Sequence, residues 1–208
     1  MQYFPNEIYP DCGSYAGRYF QLLGDAARTV SPEAISAAAS VLVDAAKSGS
    51  TIFSCGNGGS AAIANHLVCD CLKGVRAGSY LKPRVVSLSA TVELITAIVN
   101  DIGSNEMFSY QLETLAGKGD VLIAISSSGA SPNIISALKQ AKARGMRTIA
   151  MTGFTGGEAA KLADVALHVD AHNYGVVEDT HQSLMHILAQ YMRHSHLEDP
   201  AQIGTMKF

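Results

Sequence analysis

Two groups of residues have the chemistry of a reaction site. His66 and Asp70 lie four apart in GNGGSAAIANHLVCDCLK, which reads as a turn followed by a helix, so they share a helix face. Glu178, Gln182 and His186 recur every fourth residue in VVEDTHQSLMHILAQ and form a stripe along a second helix. If the two helices meet, His66, Asp70, Glu178 and His186 supply two imidazoles and two carboxylates. That set suits Zn²⁺ or another first-row divalent ion. It equally suits metal-free acid–base work near neutral pH. The competing reading makes each of them a solvated, capping or hydrogen-bonded core residue.

Two loops could hold a phosphate. Residues 56–60 (GNGGS) leave a short apolar run and enter the helix of His66. Gly56, Gly58 and Gly59 let a backbone come close to a ligand. The helix, expected to begin near Ser60 or Ala61, turns its unpaired N–H groups and positive dipole end toward that turn. Residues 126–131 (SSSGAS) follow the run VLIAIS, with Ser131 as an N-cap and Pro132 at the first helical position. The hydroxyls of Ser126, Ser127 and Ser128 beside helix amides make a neutral cradle. Asn57, Gly58, Ser60, Ser126, Ser127, Ser128 and Ser131 are therefore candidate substrate contacts. Alone, each loop is weak evidence. The first fits a relaxed GxGxxA dinucleotide loop and lacks the Lys-Ser/Thr ending of a P-loop. The second could be a plain capped turn. Together, after two strands of one sheet, they are more persuasive. Asp101 could bind sugar hydroxyls or merely form a turn.

The elements that must position these residues alternate. Residues 51–55, 84–89, 121–126, 147–152 and 165–169 are short, nearly continuous apolar runs, as in strands buried on both faces. Helical segments at 61–72, 91–99, 105–115, 132–144 and 158–163 lie between them. The alternation predicts an α/β fold with a five-stranded parallel sheet. The expected organisation is a single domain over 1–208, with N-terminal helices at 14–48, a sheet core at 51–170 and a C-terminal helix at 177–193. Ser31, Pro32 and Gly49 read as the cap, first residue and stop of the helix at 32–47. Residues 1–13 read as an irregular arm, and no role is assigned to 194–208.

Composition narrows the partners. The chain has 208 residues, 48% of them hydrophobic and 16% charged, enough apolar surface for a packed core. A formal charge of −3 gives no general reason to expect nucleic acid as a partner. No apolar run approaches a membrane span, and the N-terminus lacks the pattern of a signal peptide. Four cysteines, Cys12, Cys55, Cys69 and Cys71, are not spaced as a thiolate zinc site. A cytoplasmic location with reduced thiols is expected.

GNGGSAAIANH, GDVLIAISSSGASPNIISALKQAKARGMRTIAMTG and VVEDTHQSLMHIL resemble the sugar isomerase (SIS) domain family over about residues 14–194. Within it they are most similar to sedoheptulose 7-phosphate isomerases. The resemblance implies a flavodoxin-like three-layer αβα sandwich and a homotetramer with active sites at subunit interfaces. It implies interconversion of sedoheptulose 7-phosphate and D-glycero-D-manno-heptose 7-phosphate for bacterial heptose, lipopolysaccharide or capsule synthesis. It gives phosphate to Ser126, Ser127, Ser128 and Ser131, and substrate contacts to Asn57 and Asp101. The family's metal and catalytic positions fall on His66, Asp70, Glu178 and His186, with Asp70 as base, His186 as proton donor and Zn²⁺ as cofactor. Two of the four depart: Asp70 stands for glutamate and Glu178 for glutamine. No arginine contact carries over in 74–83. Isomerisation of another phosphosugar stays open, as does a non-catalytic phosphosugar-binding or replication-initiator-binding adaptor. A dinucleotide-binding protein is disfavoured, because no acidic residue after Ser89 is placed for a ribose.

Overall fold

A computed structural model describes residues 3–207. Five strands, β1 (Thr51–Gly56), β2 (Arg84–Ser87), β3 (Val121–Ser126), β4 (Arg147–Thr152) and β5 (Val165–His168), form one all-parallel sheet in the order β2-β1-β3-β4-β5. This is the flavodoxin-like order. In the central strand every residue is buried, and alternate side chains serve opposite faces. Val121, Ile123 and Ile125 join the core beneath α2 (Pro32–Ser48), α3 (Gly59–Cys69) and α8 (Tyr174–His194). Leu122 and Ala124 join the core beneath α5 (Ser109–Leu115), α6 (Pro132–Ala143) and α7 (Gly157–Leu162). The apolar runs are continuous because both faces are covered. α1 (Cys12–Arg28) packs against α8 and adds Ala26 to the core beneath it, and α4 (Val92–Asp101) follows β2.

Several boundaries move for local reasons. α1 starts at Cys12 because the Asp11 carboxylate accepts the Ser14 N–H at 2.9 Å. α8 starts at Tyr174 because Asn173 accepts the Val176 N–H at 3.1 Å. α2 is capped as expected, by Ser31 at its start and by left-handed Gly49 (φ 76°) at its end. The segment 105–115 divides into a short 3₁₀ turn, Ser104–Glu106, and α5. The helix of His66 begins at Gly59, then widens into a π-helical turn over Asp70–Val75.

The arm and the tail are both seated. Phe4 lies 4.7 Å, ring to ring, from Tyr15, and its carbonyl accepts from Asn173. Residues 1 and 2 of the expected arm, and residue 208 of the tail, lie outside the described residues. The tail, to which the sequence assigns no role, returns to residues 78–80, just beyond the π-helical turn. Leu197 bridges Ser79, the Tyr80 N–H donates to the His196 carbonyl, and the Glu198 N–H donates to the Gly78 carbonyl. Among the described residues no helix is long and apolar enough to cross a membrane. The cysteines are free thiols: Cys12 and Cys69 are exposed, Cys55 and Cys71 buried.

Asp120 ties the strand starts together. Its carboxylate accepts the Thr51 N–H at 2.7 Å and the Gly117 N–H at 2.8 Å. Replacing Asp120 with Ala leaves both donors without that acceptor. The expected loss is about 1–3 kcal/mol in urea unfolding, from hydrogen bonds to a charged group.

Candidate functional site

In this strand order the chain reverses direction across the sheet between β1 and β3, and the crevice beyond their carboxyl ends is the expected ligand site. The loops leaving those two strands meet there. They enclose a cavity of about 140 Å³ lined by Asn57, Ser60, Ser126, Ser127, Ser128 and Ser131, with Ile125, Tyr174 and Glu178 completing the wall. Asn57 and Asn133 join the loops by two reciprocal amide hydrogen bonds, of 3.0 and 2.8 Å. Ser131 stands at the N-cap of α6, yet its hydroxyl does not cap the helix. It lies 3.3 Å from the Ser126 hydroxyl instead. The Ser127 hydroxyl is buried with no hydrogen-bond partner. No side chain caps the start of α3 either. Buried hydroxyls and uncapped helix starts around one small space form an oxyanion seat, with the Glu178 side chain in its wall. Gly58 (φ 52°) shapes the first turn as its N-cap but does not line the cavity.

The second cluster sits further along α3 and α8. His66, Asp70 and His186 each offer a ligand atom, and these atoms lie within 4.8 Å of one another. Asp70 is held from both sides, with His66 Nε2 at 3.2 Å and His186 Nδ1 at 2.8 Å. Those contacts assign the ring protons to His66 Nε2 and His186 Nδ1. The other two ring nitrogens then accept from the amide nitrogen of Gln182, at 3.4 Å from His66 Nδ1 and 2.9 Å from His186 Nε2. Two imidazoles and a carboxylate form the donor set of many catalytic zinc sites, so the residues present fit a divalent ion. Asp70 is also the first residue of the π-helical turn, a feature that recurs at functional sites.

Two of the expected residues stand apart from this cluster. The Glu178 carboxylate lies over Gly59, where a side-chain methyl group would overlap it, and it lines the serine cavity rather than joining His66, Asp70 and His186. Eight residues on α8 separate it from His186, about 12 Å of helix. Asp101 ends α4 exposed, with the Asn100 amide donating to it at 2.6 Å, and lines neither the cavity nor the cluster. The structure therefore brings together Asn57, Ser60 and the four serines with Glu178, and separately His66 and Asp70 with His186.

Three contributors escaped the sequence reading. Asn133 follows Pro132 inside an apparent helix start, and only the spatial neighbourhood of β1 and β3 shows its partner. Gln182 was visible in the stripe with Glu178 and His186 but had no assigned role. Tyr19 donates its hydroxyl to Asp179 at 2.6 Å. Burial, this hydrogen bond and the carboxylate charge raise the phenol above its ordinary range, so it stays a donor that fixes the first turns of α8.

Comparison with known proteins shows the family. The sequence model of the SIS domain family matches residues 15–153. A phosphoheptose isomerase of Maridesulfovibrio salexigens is 38% identical over 146 residues, 70% of this chain and 71% of that protein. One from Nitratidesulfovibrio vulgaris is 40% identical over 148 residues, 70% of each chain. The structure of a phosphoheptose isomerase from Neisseria gonorrhoeae superposes with a TM-score of 0.79 at 31% identity, covering 86% of this chain and 95% of that one. One from Francisella tularensis gives 0.80 at 30% identity, covering 87% and 95%. With the fold, the matched sequence and the crevice in agreement, the chain belongs to the SIS domain family and is a phosphoheptose isomerase-like member of it.

Proposed function

We propose that the protein is an aldose–ketose isomerase that converts sedoheptulose 7-phosphate to D-glycero-D-manno-heptose 7-phosphate through an enediol. The observation that carries this reading is the Ser127 hydroxyl, buried without a partner in a serine-lined cavity. A buried polar atom of that kind calls for a ligand acceptor. His186, paired with Asp70, lies on α8, the helix that lines that cavity through Tyr174 and Glu178. Dimension supports it as well. A phosphate and the far end of a seven-carbon sugar are eight bonds apart, roughly 10 Å at about 1.2 Å per bond of extended chain. That is comparable to the helix length between the cradle and His186.

The serine hydroxyls and the loop amides hold the phosphate. Asp70 takes a proton from the carbon beside the carbonyl. His186 passes its Nδ1 proton to the carbonyl oxygen and regains one from the newly protonated Asp70 carboxyl, 2.8 Å away. The same two groups, run in reverse at the neighbouring carbon and oxygen, complete the isomerisation. Gln182 orients both imidazoles. Zn²⁺ held by His66, Asp70 and His186 supplies polarisation of the substrate oxygens when bound. In this reading the enzyme works in the cytoplasm as a homotetramer with sites at subunit interfaces. The exposed apolar residues of α4, Val92, Leu94 and Val99, support contact with a second copy.

The decisive experiment incubates zinc-loaded protein with sedoheptulose 7-phosphate and identifies the product by NMR. Formation of the aldose supports the reading; no conversion overturns it. Replacing Ser128 and Ser131 together with Ala is expected to raise KM roughly tenfold or more and to change kcat less, since the lost contacts bind ground state and transition state alike. An unchanged KM in steady-state kinetics counts against the cradle.

A further inference from the structure

The serine cavity does not account for all of the space beside Asp70 and His186. On their other side lies a larger cavity, about 420 Å³, whose wall includes Asp70, His186, Lys73, Gln190, Arg193 and Lys207. Three of those six are cationic. The acid, Asp70, is already shared between two imidazoles. Neither Lys73 nor Lys207 belongs to an ion pair among the described residues. Arg193 helps to build the wall. Its Nε donates to the Ala77 carbonyl at 2.8 Å and its Nη1 donates to the Lys207 carbonyl at 3.0 Å. The tail is thus fastened where it adds Lys207 to the chamber.

The order along α8 gives the chamber a meaning. Glu178 faces the serine cavity, His186 the reacting cluster, and Gln190 with Arg193 the chamber. A seven-carbon sugar with its phosphate among the serines ends near His186 and leaves the chamber empty. We propose that the chamber is a second anion-binding site that takes a phosphoryl or carboxylate group. Its place beside the reacting carbons rests on the isomerase reading; its affinity for anions does not. The exposed lysines make that affinity sensitive to salt.

The test is titration of the full chain with inorganic phosphate at low ionic strength, followed by calorimetry. Two phosphates per chain are expected. The Ser128→Ala/Ser131→Ala variant should keep the chamber phosphate and weaken the other. The Lys73→Gln/Lys207→Gln variant should weaken the chamber phosphate roughly tenfold or more and spare the cradle. One phosphate per chain in the unaltered protein, or two sites indifferent to the lysine changes, overturns the proposal. Two phosphates without turnover of sedoheptulose 7-phosphate would sink the isomerase reading and leave the chamber standing. Two further arms identify the source of the anion. A heptulose 1,7-bisphosphate, which its C1 ester keeps from isomerising, that binds about tenfold more tightly than the 7-phosphate, with the gain lost in the lysine variant, makes the second anion part of one bound ligand. Inorganic phosphate that still binds beside saturating 7-phosphate makes it a separate ligand.

Discussion

Replacing His186 with Gln is expected to lower turnover of sedoheptulose 7-phosphate by about 10²–10⁴-fold, the usual contribution of a positioned acid or base. Glutamine can donate a hydrogen bond to Asp70 but cannot relay a proton. The ring is half-exposed on α8, so the change leaves no buried void, and the thermal midpoint should stay close to that of the unaltered protein. Asp70→Asn should give a loss of similar size. Because the two groups are joined at 2.8 Å, the double variant should be little worse than either single one. His186 is also a candidate metal ligand, so zinc content must be measured on each variant. Turnover near normal in His186→Gln would remove that residue from the reaction.

Acid should destabilise the fold through a different histidine. His181 is fully buried on α8, and neither ring nitrogen has a hydrogen-bond partner. Burial pushes its pKa down from the ordinary 6.5 to about 4. The Thr152 carbonyl opposes that shift without forming a hydrogen bond of good geometry, and neighbouring His168 adds to it slightly. The ring is therefore neutral in the folded state and gains a proton below pH 6.5 once unfolded. The unfolded state binds more protons between pH 6.5 and 4, so stability falls as pH falls through that window. It is undisturbed by this group above 6.5. The shift corresponds to a loss of about 3 kcal/mol. His181→Leu removes the titrating group and two unpartnered polar atoms at similar volume. Urea unfolding at pH 7, 5.5 and 4.5 should show a flatter dependence in the variant. Parallel curves for the two proteins would refute the assignment.

The contrast between these two histidines shows what was legible in the sequence. His186 sits among apolar neighbours in SLMHILAQ, whereas His181 sits among polar ones in EDTHQSL. Only the four-residue repeat through Glu178 and Gln182 singles out His186, and nothing local marks His181 as buried. The sheet was legible because β3 and β4 are nearly continuous apolar or β-branched runs, and their limits fall where the expected runs placed them. The edge strand β2 ends two residues earlier than its apolar run, since only one neighbour pairs with it. The helix starts of α1 and α8 depended on Asp11 and Asn173, which read equally well as loop residues. Glu178 was expected beside the imidazoles because stripe residues share a face. But eight residues of rise carry it to the serine cavity, a distance that spacing alone does not weigh. The seating of the tail rests on contacts of residues 78–80 with 196–198, far apart in the chain, which no local pattern encodes.

The amide clasp between Asn57 and Asn133 has a consequence for how ligands are received. It couples the loop that leads into α3 to the first turn of α6, so the positive ends of two helix dipoles aim at one point before anything arrives. The ordering entropy of those loops is then spent during folding rather than at each encounter. A phosphorylated ligand entering the crevice therefore meets a rigid mould, and discrimination between ligands falls to whatever lies beyond the phosphate.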